Sequence, residues 1–287
     1  MNEPSRPIAH LVGRALPPLE RAKPFAWERL ALALHTCIVF LFLYAPIVVL
    51  VLFSFNAGRQ TAVWEGFTLA WYQRLAGNEL ILRAVKNSLI IAAVTTLVST
   101  CVGTAAALAL SRYQFRGKGI TQAALYLPIV IPEIVIGAAL VTFFGVLSWR
   151  LSFWTVVIAH LAFSIPYVAV VVRARLAGFD RSLEEAALDL GAGPLTTFFR
   201  VTLPLIAPGI VAGSLLVFTI SLDDYVVTSF VAGVGATTLP VQIYSMLKVN
   251  VTPEVNAVST LLLLLTILLI TIAQRLQQAS FEQGESR

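Results

Sequence analysis

The sequence predicts an all-α polytopic protein that crosses a lipid bilayer six times. Three observations carry that prediction. Of 287 residues, 58% are hydrophobic and 12% charged, whereas a soluble domain runs nearer half apolar and a quarter charged. Mean hydropathy is +0.84. The apolar residues are also pooled into blocks of about 20 or more with almost no charge, the length a helix needs to cross a hydrocarbon layer ~30 Å thick. Most soluble enzyme classes are excluded on these grounds.

Taken in order, residues 1–29 carry Pro and Arg and no apolar run, and read as a cytoplasmic leader that is not a transit signal. The first block, near 31–54, is too long for a signal-peptide core and lacks a small-residue cleavage site, so it is an uncleaved anchor. Further spans are expected near 87–111, 120–147, 151–172, 203–224 and 255–274, within a membrane domain of 30–276 that leaves 277–287 as a tail. The uncharged stretch 225–247 contains Gly233, Gly235, Thr237, Thr238, Pro240 and Gln242. That breaker-rich mixture suits a loop and not a seventh crossing.

Orientation follows from Lys and Arg, which accumulate in cytoplasmic loops. With six spans, Arg6, Arg14, Arg21, Lys23 and Arg29 share one side with Arg112, Arg116 and Lys118, with Arg173, Arg175, Arg181 and Arg200, and with Arg275 and Arg287. Both termini are therefore expected in the cytoplasm. The net charge of +5 marks topology, and no nucleic-acid partner is expected. Cys37 and Cys101 lie inside apolar runs, which suits buried small residues and supplies neither a disulfide framework nor a metal cluster.

Other features concern packing. Thr95, Ser99, Gly103 and Ala107 recur every fourth residue, as do Gly209 and Gly213, which lets backbones approach where lipid supplies no hydrophobic drive. Pro128 and Pro132 fall in the third expected span and Pro166 in the fourth. Each should bend its helix, either as plain architecture or to shape a cavity or gate.

The most specified soluble stretch is the loop 182–204. Ser182 followed by Glu185 predicts a capping box. Leu183, Ala186, Ala187 and Leu190 then form an apolar stripe on a two-turn helix, which Gly191 stops. Pro194 opens a second short helix ending near Pro204. A two-turn helix is unstable alone in water, so the stripe must dock. Glu184, Glu185 and Asp189 disfavour an anionic lipid surface and favour a cytoplasmic protein partner.

Glu185-Ala186-Ala187, then Gly191, then Val201-Thr202-Leu203-Pro204 resembles the EAA loop of ABC importer permease subunits, with Val201 where isoleucine is usual. Ser221-Leu222-Asp223-Asp224 and Pro253-Glu254-Val255-Asn256-Ala257 are similar to the PotC/PotI type of polyamine (spermidine/putrescine) permease, a resemblance that covers the chain from about residue 30. It implies the type I importer fold in the cell inner membrane, a second permease subunit, and a periplasmic binding protein that delivers a polyamine. It also implies a nucleotide-binding ATPase subunit seated against Glu184, Glu185, Ala186, Ala187 and Gly191. The residues agree that energy comes from outside the chain. The sequence holds no G-x-x-x-x-G-K-[ST] loop, its nearest fragment being Gly117-Lys118, and neither H-E-x-x-H nor G-x-S-x-G. No bound cofactor or metal is expected, and the chain is read as a transport subunit and not an enzyme.

Three acids sit at membrane depth or its edge: Glu133, Asp223 and Asp224. A carboxylate at a helix centre costs roughly 2.5–3.5 kcal/mol on insertion scales. Glu133 is either a protonated acid bonded to a neighbouring helix or a contact for a cationic solute. The aspartates are either solvated at a span's end or part of that same path, which amine charges would favour. Trp64, with Trp71 and Tyr72, offers an aromatic face to an ammonium or anchors a span at the interface. His160 reads as packed and hydrogen-bonded. The alternatives are the same machine carrying another small solute, an ion-coupled transporter with Glu133 as proton relay, and a membrane-embedded enzyme. The last two need no shaped cytoplasmic dock.

Overall fold

The computed structural model describes residues 26–58, 63–249 and 252–285. The expected leader up to residue 25, with Arg6, Arg14, Arg21 and Lys23, lies outside the described residues, as does Arg287. The helices are α1 (Ala26–Phe53), α2 (Ala70–Gly77), α3 (Glu79–Arg112), α4 (Lys118–Val130), α5 (Glu133–Val146), α6 (Phe153–Ala177), α7 (Ser182–Asp189), α8 (Pro194–Thr197), α9 (Leu203–Asp223), α10 (Val226–Val231), α11 (Leu239–Val249) and α12 (Pro253–Glu285). Among the described residues the β content is an isolated bridge between Asn56 and Phe67. The chain divides into two units that part between Val49 and Leu50. Within the first, residues 30–49 of α1 carry no Asp, Glu, Lys or Arg, as suits a lipid-facing span.

The second unit is built on α3, α6 and α9, which pack on one another. Asn78 caps α3, its side-chain oxygen accepting the N–H groups of Leu80 and Ile81 at 3.1 and 3.4 Å. The small-residue stripe of α3 is buried as expected. A Cβ on Gly103 would lie 2.7 Å from the Val168 Cβ and 2.9 Å from the Ile165 carbonyl oxygen, and one on Gly209 would lie 2.8 Å from the Arg175 Cβ. Both outer helices thus approach α6 to a distance that only glycine permits. Between spans that closeness is the source of cohesion, since lipid tails are as apolar as the side chains they would replace.

By length and hydropathy α1, α3, α6, the continuous helical stretch Pro194–Asp223 and α12 can each cross a membrane. The third expected span, a single bent helix with Glu133 at its middle, is corrected. It is broken into α4 and α5, 110° apart. Pro132 lacks an N–H and pushes Ile131 out of the helical region, so Ile131 is extended and Glu133 becomes the first residue of α5. There a carboxylate meets the positive end of the helix dipole. Arg173, near the end of α6, donates to the Tyr126 hydroxyl of α4 at 2.8 Å, while Phe144 of α5 packs with Val156 and Val157 near the start of α6. α4 thus lies against the end of α6 and α5 against its start; counted as one broken span, the pair would bring the five apolar helices to six.

The stretch 225–247 is not the loop expected. It contains α10 and α11, of 6 and 11 residues, too short to cross. Side chains of α3 hold the turn between them: the Asn87 amide donates to the Gly235 and Thr237 carbonyls at 2.9 and 3.0 Å, and the Ser88 hydroxyl accepts the Leu239 N–H at 2.8 Å. The second short helix of the 182–204 loop does not stop near Pro204 either. A π turn, Phe198–Thr202, carries α8 into α9, with the Leu203 N–H bonded to the Phe198 carbonyl. The wider turn takes up the ring of Pro204, which would press on the carbonyl four residues back in an α-helix. Cys37 and Cys101 are free and exposed, not buried.

Candidate functional site

α9 ends between Asp223 and Asp224, and the two carboxylates part there. Asp224 leaves the helical region and turns inward, only 8% exposed. Its oxygens accept the N–H groups of Val227 and Thr228 at 3.3 and 2.8 Å and the Thr228 hydroxyl at 2.7 Å. His160 of α6, fully buried, places Nε2 2.9 Å from the Thr228 hydroxyl and 3.3 Å from Asp224, with Nδ1 2.7 Å from the Ser221 hydroxyl. Thr228 spends its one O–H on Asp224, so its oxygen must accept from Nε2–H. The Ser221 hydroxyl holds the ring from its other nitrogen. His160 is packed and hydrogen-bonded, as expected.

Asp223 is exposed and lines an open cavity of about 430 Å³ with Tyr225, Tyr244, Leu262 and Thr266 among its walls. The two tyrosine rings lie 4.3 Å apart between centroids. The ammonium of Lys248 sits 4.9 Å from the centre of the Tyr244 ring, so that face already receives an alkylammonium. Glu133, exposed at the start of α5, lies within electrostatic reach of both aspartates. Of the expected pathway residues, Asp223 alone lines this cavity; Glu133 is near enough to feel its charge, and Asp224 is turned inward. Trp64 is held by a different contact: 48% exposed, it meets Phe53 edge-on at 6.2 Å. Sequence reasoning missed Tyr225 and Tyr244, which are not near one another in the chain.

The expected capping box of α7 is absent. Arg181 is already helical, so Ser182 is the first helical residue and not the cap. Asp180 takes the part, accepting the Ser182 N–H at 2.9 Å. That N–H, and then the Ser182 hydroxyl, hold the exposed Asp180 carboxyl below the usual carboxylate range. Glu185 stays exposed, while Glu184 turns inward to pair with Arg112 and accept from Thr202. Most of the apolar stripe is left uncovered: Leu183 and Ala186 are exposed and Ala187 half-buried, and Leu190 is 89% exposed. Gly191 adopts φ +86°, and the N–H groups of Gly191 and Ala192 close the helix on the carbonyls of Leu188 and Ala187 at 2.9 and 3.1 Å. This is the glycine-terminated ending foreseen.

A bundle of long apolar helices, a cleft in which one aspartate and two tyrosines stand among apolar walls, and a short helix whose apolar face has little cover among the described residues suit a membrane transport subunit. The chain belongs to the family described as binding-protein-dependent transport system inner membrane component, which matches residues 99–282. It is 44% identical over 237 residues to the spermidine/putrescine transport system permease protein PotC of Haemophilus influenzae, covering 83% of this chain and 92% of that protein. It is 44% identical over 232 residues to the putrescine transport system permease protein PotI of Escherichia coli K12, covering 78% and 82% respectively. Its fold is similar to a chain of a bacterial ABC transporter involved in import of the acidic polysaccharide alginate, with TM-score 0.73, 20% identity, and 88% and 96% of the two chains covered. The type I importer fold expected from the sequence is the one found.

Proposed function

We propose that this chain is the permease subunit of an ATP-driven importer that carries a polyamine such as spermidine or putrescine inward across the cytoplasmic membrane. The observation that carries the substrate is the exposed carboxylate of Asp223 beside the Tyr225–Tyr244 pair, with Glu133 close by. An ammonium 4 Å from a carboxylate gains about 4 kcal/mol at an effective dielectric near 20, and an aromatic face adds ~0.5–2 kcal/mol. Together these offset part of the hydration a polyamine loses. The names of the relatives support the same solute class.

On this reading α7 faces the cytoplasm and docks on a separate ATPase subunit through Leu183, Glu185, Ala186 and Leu190, with both termini on that side. ATP serves that subunit, and a second permease subunit and a periplasmic binding protein complete the machine. The test is uptake per assembled complex in Glu133→Gln and Asp223→Asn with amines of one to four charges. Attraction scales with solute charge, so the loss should deepen from monoamine to tetraamine. Unchanged affinity and charge preference in both variants would leave the acids out of the pathway.

A further inference from the structure

Of the three acids on α7, Glu184 alone turns back toward its own chain. Its carboxylate pairs with Arg112, in the last turn of α3, and accepts the hydroxyl of Thr202, the last residue of the π turn. Thr202 is fully buried, and the Arg112 guanidinium also lies 3.5 Å from its oxygen. Just ahead of α7, the Arg181 guanidinium donates to the Ser111 carbonyl at 3.3 Å. Two ties therefore run from the start of α7 to the end of α3, and one of them continues into the helix that leads to α9.

Two features make this more than a surface ion pair. The Arg112 and Glu184 side chains are 30% and 17% exposed, so salt screens them less than an open pair. The π turn that receives Thr202 is, in general, a form of helix found at sites of movement and function. From Thr202 the helix continues without interruption to Asp223, about 32 Å away at 1.5 Å per residue. A two-turn helix has little rigidity of its own. A force on the outer face of α7 therefore reaches the spans through whatever ties its inner face to them.

The geometry points to Glu184 as the strut between dock and pathway. It is a positioning residue that passes displacement of α7 to α3 through Arg112 and to α9 through Thr202. The inference rests on the reading that α7 docks on an ATPase subunit, and deepens it by separating the residues that hold that subunit from the one that transmits its motion.

The test uses the complete importer in lipid vesicles and reads three quantities: ATPase subunit retained, ATP hydrolysed, and amine taken up per ATP. Glu184→Arg and Arg112→Glu should each retain the ATPase subunit and continue hydrolysis, while uptake per ATP falls about two- to thirtyfold, the span of coupling effects for residues in such networks. The double variant should exceed both singles but fall short of the parent, because each swapped charge then opposes its helix dipole. Should a charge reversal prevent assembly, Thr202→Val removes one hydroxyl at nearly constant volume and should lower uptake per ATP in the same direction. Unchanged uptake per ATP, or a double variant no better than the worse single, overturns the strut. Loss of the ATPase subunit from Glu184→Arg places Glu184 in the dock and overturns the strut while leaving the docking reading intact. If Leu190→Asp leaves that subunit attached as firmly as in the parent, it is the docking reading itself that fails.

Discussion

His160 Nε2 lies 3.3 Å from Asp224 Oδ2 where α6, α9 and α10 converge, and this contact separates two adjacent aspartates into different roles. The oxygens of Asp224 are engaged by the N–H groups of Val227 and Thr228, by the Thr228 hydroxyl and by the imidazole. The carboxylate of Asp223 looks into the cleft.

Amide substitution should expose that difference. Asp224→Asn keeps the shape but brings an amide N–H₂ among groups that are themselves donors, at a cost of about 1–3 kcal/mol for the partners left unsatisfied. We expect less assembled protein and a lower midpoint of thermal inactivation. Asp223→Asn should assemble normally, with uptake per complex reduced more for a triamine than for a monoamine. Swapped phenotypes would reverse the assignment.

At Gly191 nothing lies within 4 Å of a Cβ position, so the objection to a side chain is the φ of +86° and not space. Gly191→Val should distort the end of α7 at a cost of about 1–2 kcal/mol. Gly191→Asn, which tolerates left-handed backbone, should cost less. Both variants should insert, and transport should rank parent, Asn, Val. Equal transport by all three would detach this ending from coupling.

Topology is testable with single cysteines in a background without Cys37 and Cys101. Ser182 and Val234 are both exposed and should react with an impermeant thiol reagent from opposite faces of the membrane. Gly233 is a poor choice, since a Cβ there would lie 1.9 Å from the Leu151 carbonyl oxygen. Labelling of both sites from one face would contradict six crossings with the α7 loop inside.

Gly103→Ala sets a Cβ against Val168 in the α3–α6 contact, whereas Gly145→Ala meets nothing within 4 Å. Overpacking of this kind costs typically about 1–3 kcal/mol. The first variant should lower the midpoint of thermal aggregation in detergent and the second should leave it unchanged. A tolerated Gly103→Leu would show that the close approach of these spans contributes little.

Much of the membrane domain is legible in the sequence because its causes are local. Block length and charge mark the long apolar helices, Gly191 takes a backbone that side chains resist, and Pro194 starts a helix where its missing N–H costs nothing. The stripe through Thr95, Ser99, Gly103 and Ala107 is readable for the same reason: helical period alone puts those residues on one face.

What the sequence by itself determined is therefore an all-helical membrane protein, most of its long apolar helices, and the presence of acids at the end of α9. Only the tertiary structure decided which acid serves which purpose. Asp223 and Asp224 are chemically identical neighbours until His160 and Thr228 claim one of them. Glu184 and Glu185 are likewise equivalent until Arg112 and Thr202 turn one inward. α10 and α11 could not be read as helices because their turn is closed by Asn87 and Ser88 from far earlier in the chain. His160, Arg112, Asn87 and Ser88 are all distant in sequence from the residues they settle. A lone carboxylate or a glycine-rich run has several arrangements of similar energy, and the packed neighbour selects among them.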